Sequence, residues 1–499
     1  MKHWFKVTKR WTLAIASAAT LTIGAMALLS CGGEGGPVGG GGGGGDNSFT
    51  AQFMALLPAG QAGATYVGPT VCKNCHNGTS PSHSTSRVVN PNEAYYDEWH
   101  NTVHASKNVT CENCHGPGSN HANSASPDGT TILTAPNSTS PIVCAQCHGP
   151  TYDQWYASKH RQIIPDPVNE AAGNPAQYGR SSRCIQCHSG LFRTETAEKG
   201  VDVGTMTDQQ IIDLATETVN NVPSIAACDT CHNPHAQTGN LTGDGAEVQL
   251  RHLTFNTDTG PVGPSQPASS FVNYNHICAQ CHNGRGADPS DAKLQSGTSR
   301  PNMHSSNQFQ MLMGFAGVEG SGVVQRNTAH ATAPGQCSHC HMPNAGHTFT
   351  TNLDVSCAPC HSATDAAARL VQVRTQMVDD LYALRSRMSA WSQTTFGDPD
   401  LWDYTSNIQA LGKTPPNQTL VPIQIKRSRH NYYFIVNDAC YGPHNFPYAE
   451  TLIQVANDNL DALGVPGAAP GRAQTNANKL AVLKQDLARW HEVEKEAGE

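Results

Sequence analysis

The residues best suited to chemistry in this sequence are cysteines and histidines arranged in a repeated pentapeptide, Cys-x-x-Cys-His. The pattern occurs eight times and uses sixteen of the eighteen cysteines. The cysteine pairs are Cys72 and Cys75, Cys111 and Cys114, Cys144 and Cys147, Cys184 and Cys187, Cys228 and Cys231, Cys278 and Cys281, Cys337 and Cys340, and Cys357 and Cys360. The histidines that directly follow these pairs are His76, His115, His148, His188, His232, His282, His341 and His361.

Cys-x-x-Cys-His is the attachment signature of c-type haem. Thiols three residues apart lie on one side of a helical turn, where both can form thioethers with the haem vinyl groups. The imidazole of the next residue can then reach the iron. Zinc is the alternative for an isolated copy, but zinc sites pair two Cys-x-x-Cys clusters without an obligatory trailing histidine. A histidine after all eight pairs therefore predicts eight covalently bound haem c groups.

The histidines outside the motifs are candidates for the second axial ligand of each iron. His104 lies seven residues before Cys111 and His121 lies six residues after His115; His330 and His347 stand at the same offsets around the Cys337 motif. The segment Tyr96-Asp97-x-Trp99-x-x-Thr102-x-His104 is repeated as Tyr152-Asp153-x-Trp155-x-x-Ser158-x-His160. Repetition at fixed offsets predicts that these five histidines ligate iron, each on a haem other than the one attached nearest to it.

Three further histidines complete the predicted set of eight distal ligands: His235, His304 and His444. His235 follows Pro234, where a tight turn could project its ring towards an adjacent haem. The reserve candidates, any of which could replace one of the eight, are His83, His252, His276 and His430.

The N-terminus predicts export and lipidation. Residues 1–30 combine a basic start with an apolar run from Thr12 to Leu29, as in a signal peptide. A run of this length could also span a membrane, but Ser30 before Cys31 and the glycines that follow favour a lipoprotein. Cys31 would then be lipidated, and residues 31–65 would form a flexible tether at the outer membrane, on its periplasmic face or at the cell surface. Cys440 is left as a buried free thiol.

The fold class expected around these motifs is mainly α, with extensive loops around stacked haems and little β structure. Residues 66–364 are predicted to form an octahaem domain, because Gly, Pro, Asn and Ser interrupt every helical pattern there. Residues 365–499 are predicted to form a haem-free helical region, since apolar residues recur at spacings of three and four. These stripes are Leu370, Val373, Met377, Leu381, Leu384, Met388 and Trp391, the segment from Ala449 to Leu463, and Leu480, Leu483, Leu487 and Trp490. Packing is their expected role.

Composition and charge restrict the function classes. Hydrophobic residues make up 38% of the chain, below the usual share of about 45–50%, so porphyrin rings are expected to supply much of the buried apolar surface. The formal net charge is −8, and haem propionates would make it more negative. That sign disfavours nucleic acid as a partner.

The motifs together resemble a superfamily of multihaem c-type cytochromes. Its members include the tetrahaem cytochrome of ammonia oxidisers, pentahaem nitrite reductase and octahaem hydroxylamine oxidoreductase. The resemblance covers roughly residues 72–465 and rests on four groups of residues: Cys111-x-x-Cys114-His115-Gly116-Pro117-Gly118 with His121, Cys144-x-x-Cys147-His148-Gly149-Pro150 with Trp155-x-x-Ser158-x-His160, Cys340-His341-Met342-Pro343 with His347-Thr348-Phe349, and Gly442-Pro443-His444-Asn445. It implies closely stacked haem pairs and a C-terminal helical domain used for subunit contact in the reductases.

The sequence departs from the enzymes of that superfamily at the catalytic motif. The nitrite reductases carry Cys-x-x-Cys-Lys, whose lysine ligates the catalytic iron, and no such motif occurs in this sequence. Hydroxylamine oxidoreductases keep histidine in every motif and add a tyrosine crosslink to the catalytic haem. Tyr432, Tyr433 and Tyr441 lie in the corresponding region, so motif identity leaves that chemistry open.

Two functions follow from these observations. The first is an electron-transfer cytochrome, with no catalytic residue of its own, that relays electrons through mostly bis-histidine haems at the cell envelope towards extracellular or periplasmic acceptors. Its partners would be other redox proteins, a porin–cytochrome complex, a metal oxide, or further copies of the chain in an oligomer or filament. The second is an oxidoreductase acting on nitrite, hydroxylamine or a sulfur oxyanion at one open iron. When the eight motif histidines and His3 of the predicted signal peptide are set aside, fifteen of the 24 histidines remain for eight irons, and this excess favours the first function.

The motif count predicts the mass of the mature protein. Intact mass spectrometry should find the polypeptide plus eight haems that resist extraction with acidified acetone, because thioether bonds survive that treatment. A fully matured protein with seven haems or fewer would contradict the assignment. Cys228→Ala should lower the haem count or abolish accumulation of the protein.

Overall fold

The computed structural model describes most of the chain from residue 49 onwards. The described residues are 49–78, 94–125, 127–134, 137–161, 187, 189–194, 207, 210, 226–239, 245–251, 276–284, 288–295, 306–326, 328–358, 360–467 and 475–497, with the backbone alone for residues 191, 276, 406 and 490–497. The predicted signal peptide, Cys31 and most of the tether therefore lie outside the described residues. So do His83, Cys184, His188, His252 and His304, while the side chain of His276 is not described.

The part of the chain that carries the motifs consists of short helices joined by loops. Its α-helices are Phe49–Leu56, Pro69–Lys73, Tyr95–His100, Val103–Ser106, Cys111–His115, Ser119–Ala122, Pro141–Tyr156, Gly190–Arg193, Cys228–Cys231, His276–Ala279, Asp291–Gln295, Gln308–Met313, Thr328–Ala331, Cys337–His341 and Leu353–Ser356. Short 3-10 turns cover Ala59–Gln61, Asn137–Thr139, Lys159–Arg161 and Pro343–Ala345. Across the described ranges the extended pairing is a single isolated bridge between His232 and Leu250. The expected mainly α fold with extensive loops is confirmed.

Four longer helices follow the last motif. They are Ala363–Phe396, Ile423–Asp438, Phe446–Ala462 and Asn476–Ala497, with 3-10 turns at Ser406–Leu411 and Gln418–Leu420 between the first two. The 34-residue first helix begins where the Ser362 side chain accepts a hydrogen bond from the Asp365 amide, and it ends at Gly397 in the left-handed conformation (φ 74°). All three helices predicted from apolar stripes are present. The segment predicted from Ala449 begins earlier, because Asn445 caps the Tyr448 amide and Pro447 suits a first turn.

The apolar stripes of these helices pack against one another to form the main core. Met377, Leu381, Leu384 and Met388 are fully buried in one cluster, together with Leu452 and Leu460 of the third helix and Leu483 of the fourth. Packing, the role expected of the stripes, therefore takes place between helices of the same region. The side chain of Trp490 lies outside the described part of the chain.

The Ile423–Asp438 helix lies at the centre of this core and was not predicted from the sequence. Its residues from Ser428 to Asp438 are all buried, so no polar face marks it as helical. Arg429 is fully buried and donates to Asp403 (2.6 Å), which also accepts the Tyr433 hydroxyl (2.6 Å). Tyr432 donates to Asp486 (2.5 Å). The buried charges of Arg429 and Asp403 are therefore paired and hydrogen-bonded to each other.

Cys440 corrects one prediction from the sequence. It is buried, with 3% of its surface exposed, but it forms a disulfide rather than remaining a free thiol. The sequence reasoning assigned every other cysteine to haem or lipid, which left no candidate partner.

Within the described residues, no helix combines the length and apolar character needed to cross a membrane. The predicted apolar run from Thr12 to Leu29 is not among those residues.

The buried ion pair predicts an unequal response to two charge deletions. Asp403→Asn should lower the free energy of unfolding by about 3 kcal/mol, because it leaves the buried Arg429 guanidinium without its counter-charge. Lys479→Met is the control: it removes a more exposed pair with Asp379 (2.7 Å) and should cost less than about 1 kcal/mol. Urea unfolding followed by far-ultraviolet circular dichroism measures both. Equal losses of unfolding free energy in the two variants would contradict the larger contribution assigned to the buried pair.

Candidate haem-attachment sites

The two cysteines of each described motif lie on one turn of backbone, and the histidine lies at or just beyond the end of that turn, as at His232, which is extended (φ −112°, ψ 137°). The His76 amide donates to the Cys72 carbonyl (3.0 Å), and the His282 amide donates to the Cys278 carbonyl (2.8 Å). The same bond joins His361 to Cys357 (2.8 Å). This is the local geometry that thioether attachment to one porphyrin requires.

Every motif histidine with a described side chain faces a histidine from elsewhere in the chain. The ring centroids of these seven pairs are separated by 6.0 to 6.5 Å. The pairs, with the motif histidine first, are His76 with His121, His115 with His235, His148 with His104, His232 with His347, His282 with His160, His341 with His444, and His361 with His330.

These separations match two imidazoles on opposite sides of one metal ion. A metal–imidazole bond is about 2.0 Å long and the ring centroid lies roughly 1.1 Å behind the bonded nitrogen, so the centroids of two such rings lie about 6.3 Å apart. Direct stacking of two rings in van der Waals contact would bring them closer. The residues present therefore fit haem iron held between two histidines.

The partner of each motif histidine comes from beyond its own motif. In the repeated module around Cys111, the downstream His121 faces the preceding motif and the upstream His104 faces the following one. In the module around Cys337, the upstream His330 again faces the following motif, whereas His347 faces His232, two motifs earlier. Seven of the eight predicted distal histidines therefore lie opposite a motif histidine, and the eighth, His304, lies outside the described residues.

Hydrogen bonds at Nδ1 orient many of these rings. The Nδ1 atoms of six rings lie 2.6 to 3.3 Å from backbone carbonyl oxygens, which can accept their protons. These bonds are from His115 to Leu133, His121 to Asp128, His232 to Val248, His330 to Pro443, His341 to Phe349 and His347 to Ala345. A bond of this kind fixes the tautomer and presents Nε2 to a metal.

Burial keeps most of these imidazoles in the neutral form that binds iron. It lowers the pKa of His160 and of His341 to about 4, and it lowers the pKa of His115 and His232 below the ordinary value. His444 differs. Burial alone would lower its pKa, but the Asp438 carboxylate, whose Oδ1 lies 2.6 Å from Nδ1, raises it.

His430, a reserve candidate, lies in a different environment. It is buried in the C-terminal core and stacks on Phe434, and its Nε2 lies 3.0 Å from the Ala316 carbonyl. Burial lowers its pKa to about 4. His430 therefore uses for a backbone contact the nitrogen, Nε2, that the paired rings would present to iron.

Thiols of different motifs meet in a continuous series. The thiols lie close together in four pairs: Cys72 with Cys111, Cys144 with Cys228, Cys278 with Cys337, and Cys281 with Cys187. Three further sets interact electrostatically: Cys114 with Cys144 and Cys147, Cys231 with Cys278, and Cys340 with Cys357 and Cys360. The first, second, third, fifth, sixth, seventh and eighth motifs are therefore successive neighbours, and Cys187 of the fourth motif lies beside the sixth.

Asp438 is a residue of this site that sequence reasoning missed. Its carboxylate is almost fully buried and lies against the ring of His444. An acidic residue six positions before a histidine is a weak signal in a sequence, because the contact depends on a turn between two helices.

Comparisons with known proteins give relatives of one kind. No protein-family model matches the chain. Among curated proteins it is similar to the C-type polyheme cytochrome OmcC of Geobacter sulfurreducens, with 26% identity over 397 residues. The match covers 70% of this chain and 43% of that protein, so this chain spans less than half the length of the relative.

Two solved structures are similar at lower identity. The undecahaem cytochrome from the S-layer of Carboxydothermus ferrireducens aligns with a TM-score of 0.43 and 19% identity, over 83% of this chain and 56% of that one. The outer cell wall cytochrome OcwA aligns with a TM-score of 0.43 and 18% identity, over 70% of each chain. The curated relative is named as a C-type polyhaem cytochrome, and that similarity supports the multihaem c-type cytochrome superfamily for this chain.

Proposed function

We propose that this chain is an electron-transfer cytochrome that relays electrons through eight covalently bound, mostly bis-histidine haems at the cell envelope. The observation that carries the proposal is the set of seven histidine pairs with centroids 6.0 to 6.5 Å apart. When bound, haem supplies a one-electron couple at each of these positions. The protein supplies both axial ligands and the order of the haems.

Occupation of both axial positions favours electron transfer over catalysis at these seven positions. A substrate such as nitrite needs an open coordination site, and a pair of imidazoles held at bonding distance leaves none. The rings are held from behind by backbone carbonyls, as between His232 and Val248 (2.7 Å). Rigid ligands also suit electron transfer, because the same two rings serve both oxidation states.

The series of neighbouring thiols supports a continuous path. Porphyrins attached to Cys72 and Cys111, whose thiols are neighbours, would lie close together. The same holds for attachment at Cys144 and Cys228 and at Cys278 and Cys337. An electron entering at either end of this series can therefore pass between neighbouring groups without crossing a long stretch of protein.

The proposed location rests on the N-terminal sequence. Lipidation of Cys31 and a glycine-rich tether would hold the haem-bearing part at the outer membrane. The proposed partners are other redox proteins and a periplasmic or extracellular acceptor.

Substitution of one distal histidine tests the ligand assignment. His104→Ala should remove the ring that faces His148 (6.3 Å) and open one iron to water. A high-spin absorption band and cyanide binding should then appear, with the haem count unchanged. His104→Met should keep that iron low-spin and raise its potential, because thioether ligation raises the potential of haem iron.

His100→Ala is the matched control for that substitution. His100 lies four residues earlier, at the end of the preceding Tyr95–His100 helix, and stacks on Tyr96 (5.8 Å) rather than on a motif histidine. The His100→Ala substitution should leave the absorption spectrum unchanged. An unchanged spectrum in His104→Ala, or a high-spin band in His100→Ala, would refute the assignment of His104.

Redox behaviour tests the proposed function itself. The unmodified protein should be reduced over a broad range of potentials below that of the standard hydrogen electrode, because bis-histidine ligation lacks the thioether that raises potentials. It should exchange electrons rapidly with soluble mediators and turn over nitrite and hydroxylamine negligibly. One narrow, high-potential wave, or rapid turnover of either substrate, would contradict the proposal.

A further inference from the structure

The histidine pair of the seventh motif differs from the other pairs in the group that contacts Nδ1 of its second histidine, His444. His341 faces His444 at 6.3 Å, and Nδ1 of His444 lies 2.6 Å from Oδ1 of Asp438. The Asp438 side chain is 1% exposed and that of His444 is 18% exposed. The imidazole N–H therefore donates to a carboxylate in a place shielded from water.

The other rings with described Nδ1 partners have weaker acceptors. Six of them lie against backbone carbonyls, including His341 itself, whose Nδ1 is 3.3 Å from the Phe349 carbonyl. A neutral carbonyl attracts the proton less than a carboxylate does, and hydrogen bonds to ionised groups are shorter and stronger. The distance of 2.6 Å from His444 Nδ1 to Asp438 Oδ1 equals the shortest of the carbonyl contacts, that from His115 to Leu133.

The position of Asp438 is unfavourable for the helix that carries it. Asp438 is the last residue of the Ile423–Asp438 helix, where the helix dipole disfavours a negative charge. Its second oxygen, Oδ2, has no hydrogen-bond partner among the described residues, which adds a cost of desolvation. A residue whose placement costs stability in this way, without an evident compensating gain, is expected at a functional position.

The turn between the two helices holds the contact in place. Ala439 and Tyr441 both have positive φ (58° and 57°), and Gly442 has φ 121°. Non-glycine residues in this region are strained and persist where the surroundings enforce them. The Cys440 disulfide lies in the same turn. Together these features bring His444 back against the end of the helix that carries Asp438.

We propose that Asp438 is a positioning residue that lowers the reduction potential of the haem attached through Cys337 and Cys340. The inference rests on the proposed function, in which His341 and His444 are the two ligands of that iron. The carboxylate draws the Nδ1 proton towards itself and makes the ring a stronger electron donor. A stronger donor stabilises the ferric over the ferrous state. Reduction of a haem held there by one electron from a neighbouring ferrous haem, which would become ferric, would leave the proton between Nδ1 of His444 and Oδ1 of Asp438.

Asp438→Asn tests the role of the carboxylate. Asparagine keeps the shape and an acceptor oxygen but removes the charge. The reduction equilibrium of one haem in eight should shift at least about tenfold towards the ferrous state, which is about 59 mV for one electron. Spectroelectrochemical titration should show one-eighth of the absorbance change moving to higher potential, with eight haems retained and all irons low-spin.

Asp354→Asn is the matched control. Asp354 is exposed and lies three residues before Cys357 of the eighth motif, and it bonds Asn352 through its backbone amide rather than through its carboxylate. Removing this charge should leave every haem within about twofold of its original equilibrium. An equal shift in both variants would overturn the proposal in favour of a general charge effect.

A second measurement on the unmodified protein covers the case in which Asp438→Asn does not accumulate. A more electron-rich ferric iron needs a higher photon energy for porphyrin-to-iron charge transfer. Near-infrared magnetic circular dichroism should therefore resolve one low-spin haem with this band at higher energy than the rest. Bands at a single energy would overturn the proposal.

The outcomes separate this inference from the function on which it rests. A low-spin iron between His341 and His444 with no shift in Asp438→Asn overturns the role of Asp438 alone. A high-spin iron there in the unmodified protein overturns the axial pair itself, and with it both proposals for this haem.

Discussion

The motif-bearing part of the chain depends on one repeated constraint. Pairs of histidine rings from distant parts of the chain are held with their centroids about 6 Å apart. The seven described pairs join segments that share little other regular structure, and helices in this part are mostly four to eight residues long. Helices so short are marginal by themselves. Attachment of two thiols and two imidazoles to one rigid group would tie such segments together better than their own side chains could.

The division of the chain into two kinds of structure follows from the same constraint. In the part of the chain that carries the motifs, the buried apolar clusters of the described residues are small. One of them consists of Phe53, Leu133 and Val143. After the last motif the chain must bury its own side chains, and it does so in four long helices around Met377, Leu381 and Tyr432. One contact between the two parts is at the seventh motif, where His444 faces His341 and Asp438 contacts His444 from behind.

Much of this could be predicted from the sequence, because some patterns specify geometry locally. A Cys-x-x-Cys-His turn needs five residues, and an amphipathic helix such as Ala363–Phe396 has one polar face that shows its period. The Ile423–Asp438 helix could not be predicted in this way. It is buried on every side, and its run Tyr432-Tyr433-Phe434-Ile435-Val436 has the aromatic and β-branched residues typical of a strand. The pairing of His347 with His232 and the contact of Asp438 with His444 depend on tertiary arrangement, which no local spacing reveals.

Electron paramagnetic resonance of the fully oxidised protein tests most directly whether the histidine pairs hold iron. The angle between two axial imidazole planes sets the splitting of the iron d orbitals, and therefore the spread of g-values. Two pairs are near-parallel, at 13° and 12°, and three are closer to perpendicular, at 74°, 79° and 88°. The account predicts low-spin ferric signals of both the rhombic type and the type with a large maximum g-value. A spectrum with only one of these two low-spin signals, or a spectrum dominated by high-spin iron, would contradict the assignment of iron to the histidine pairs.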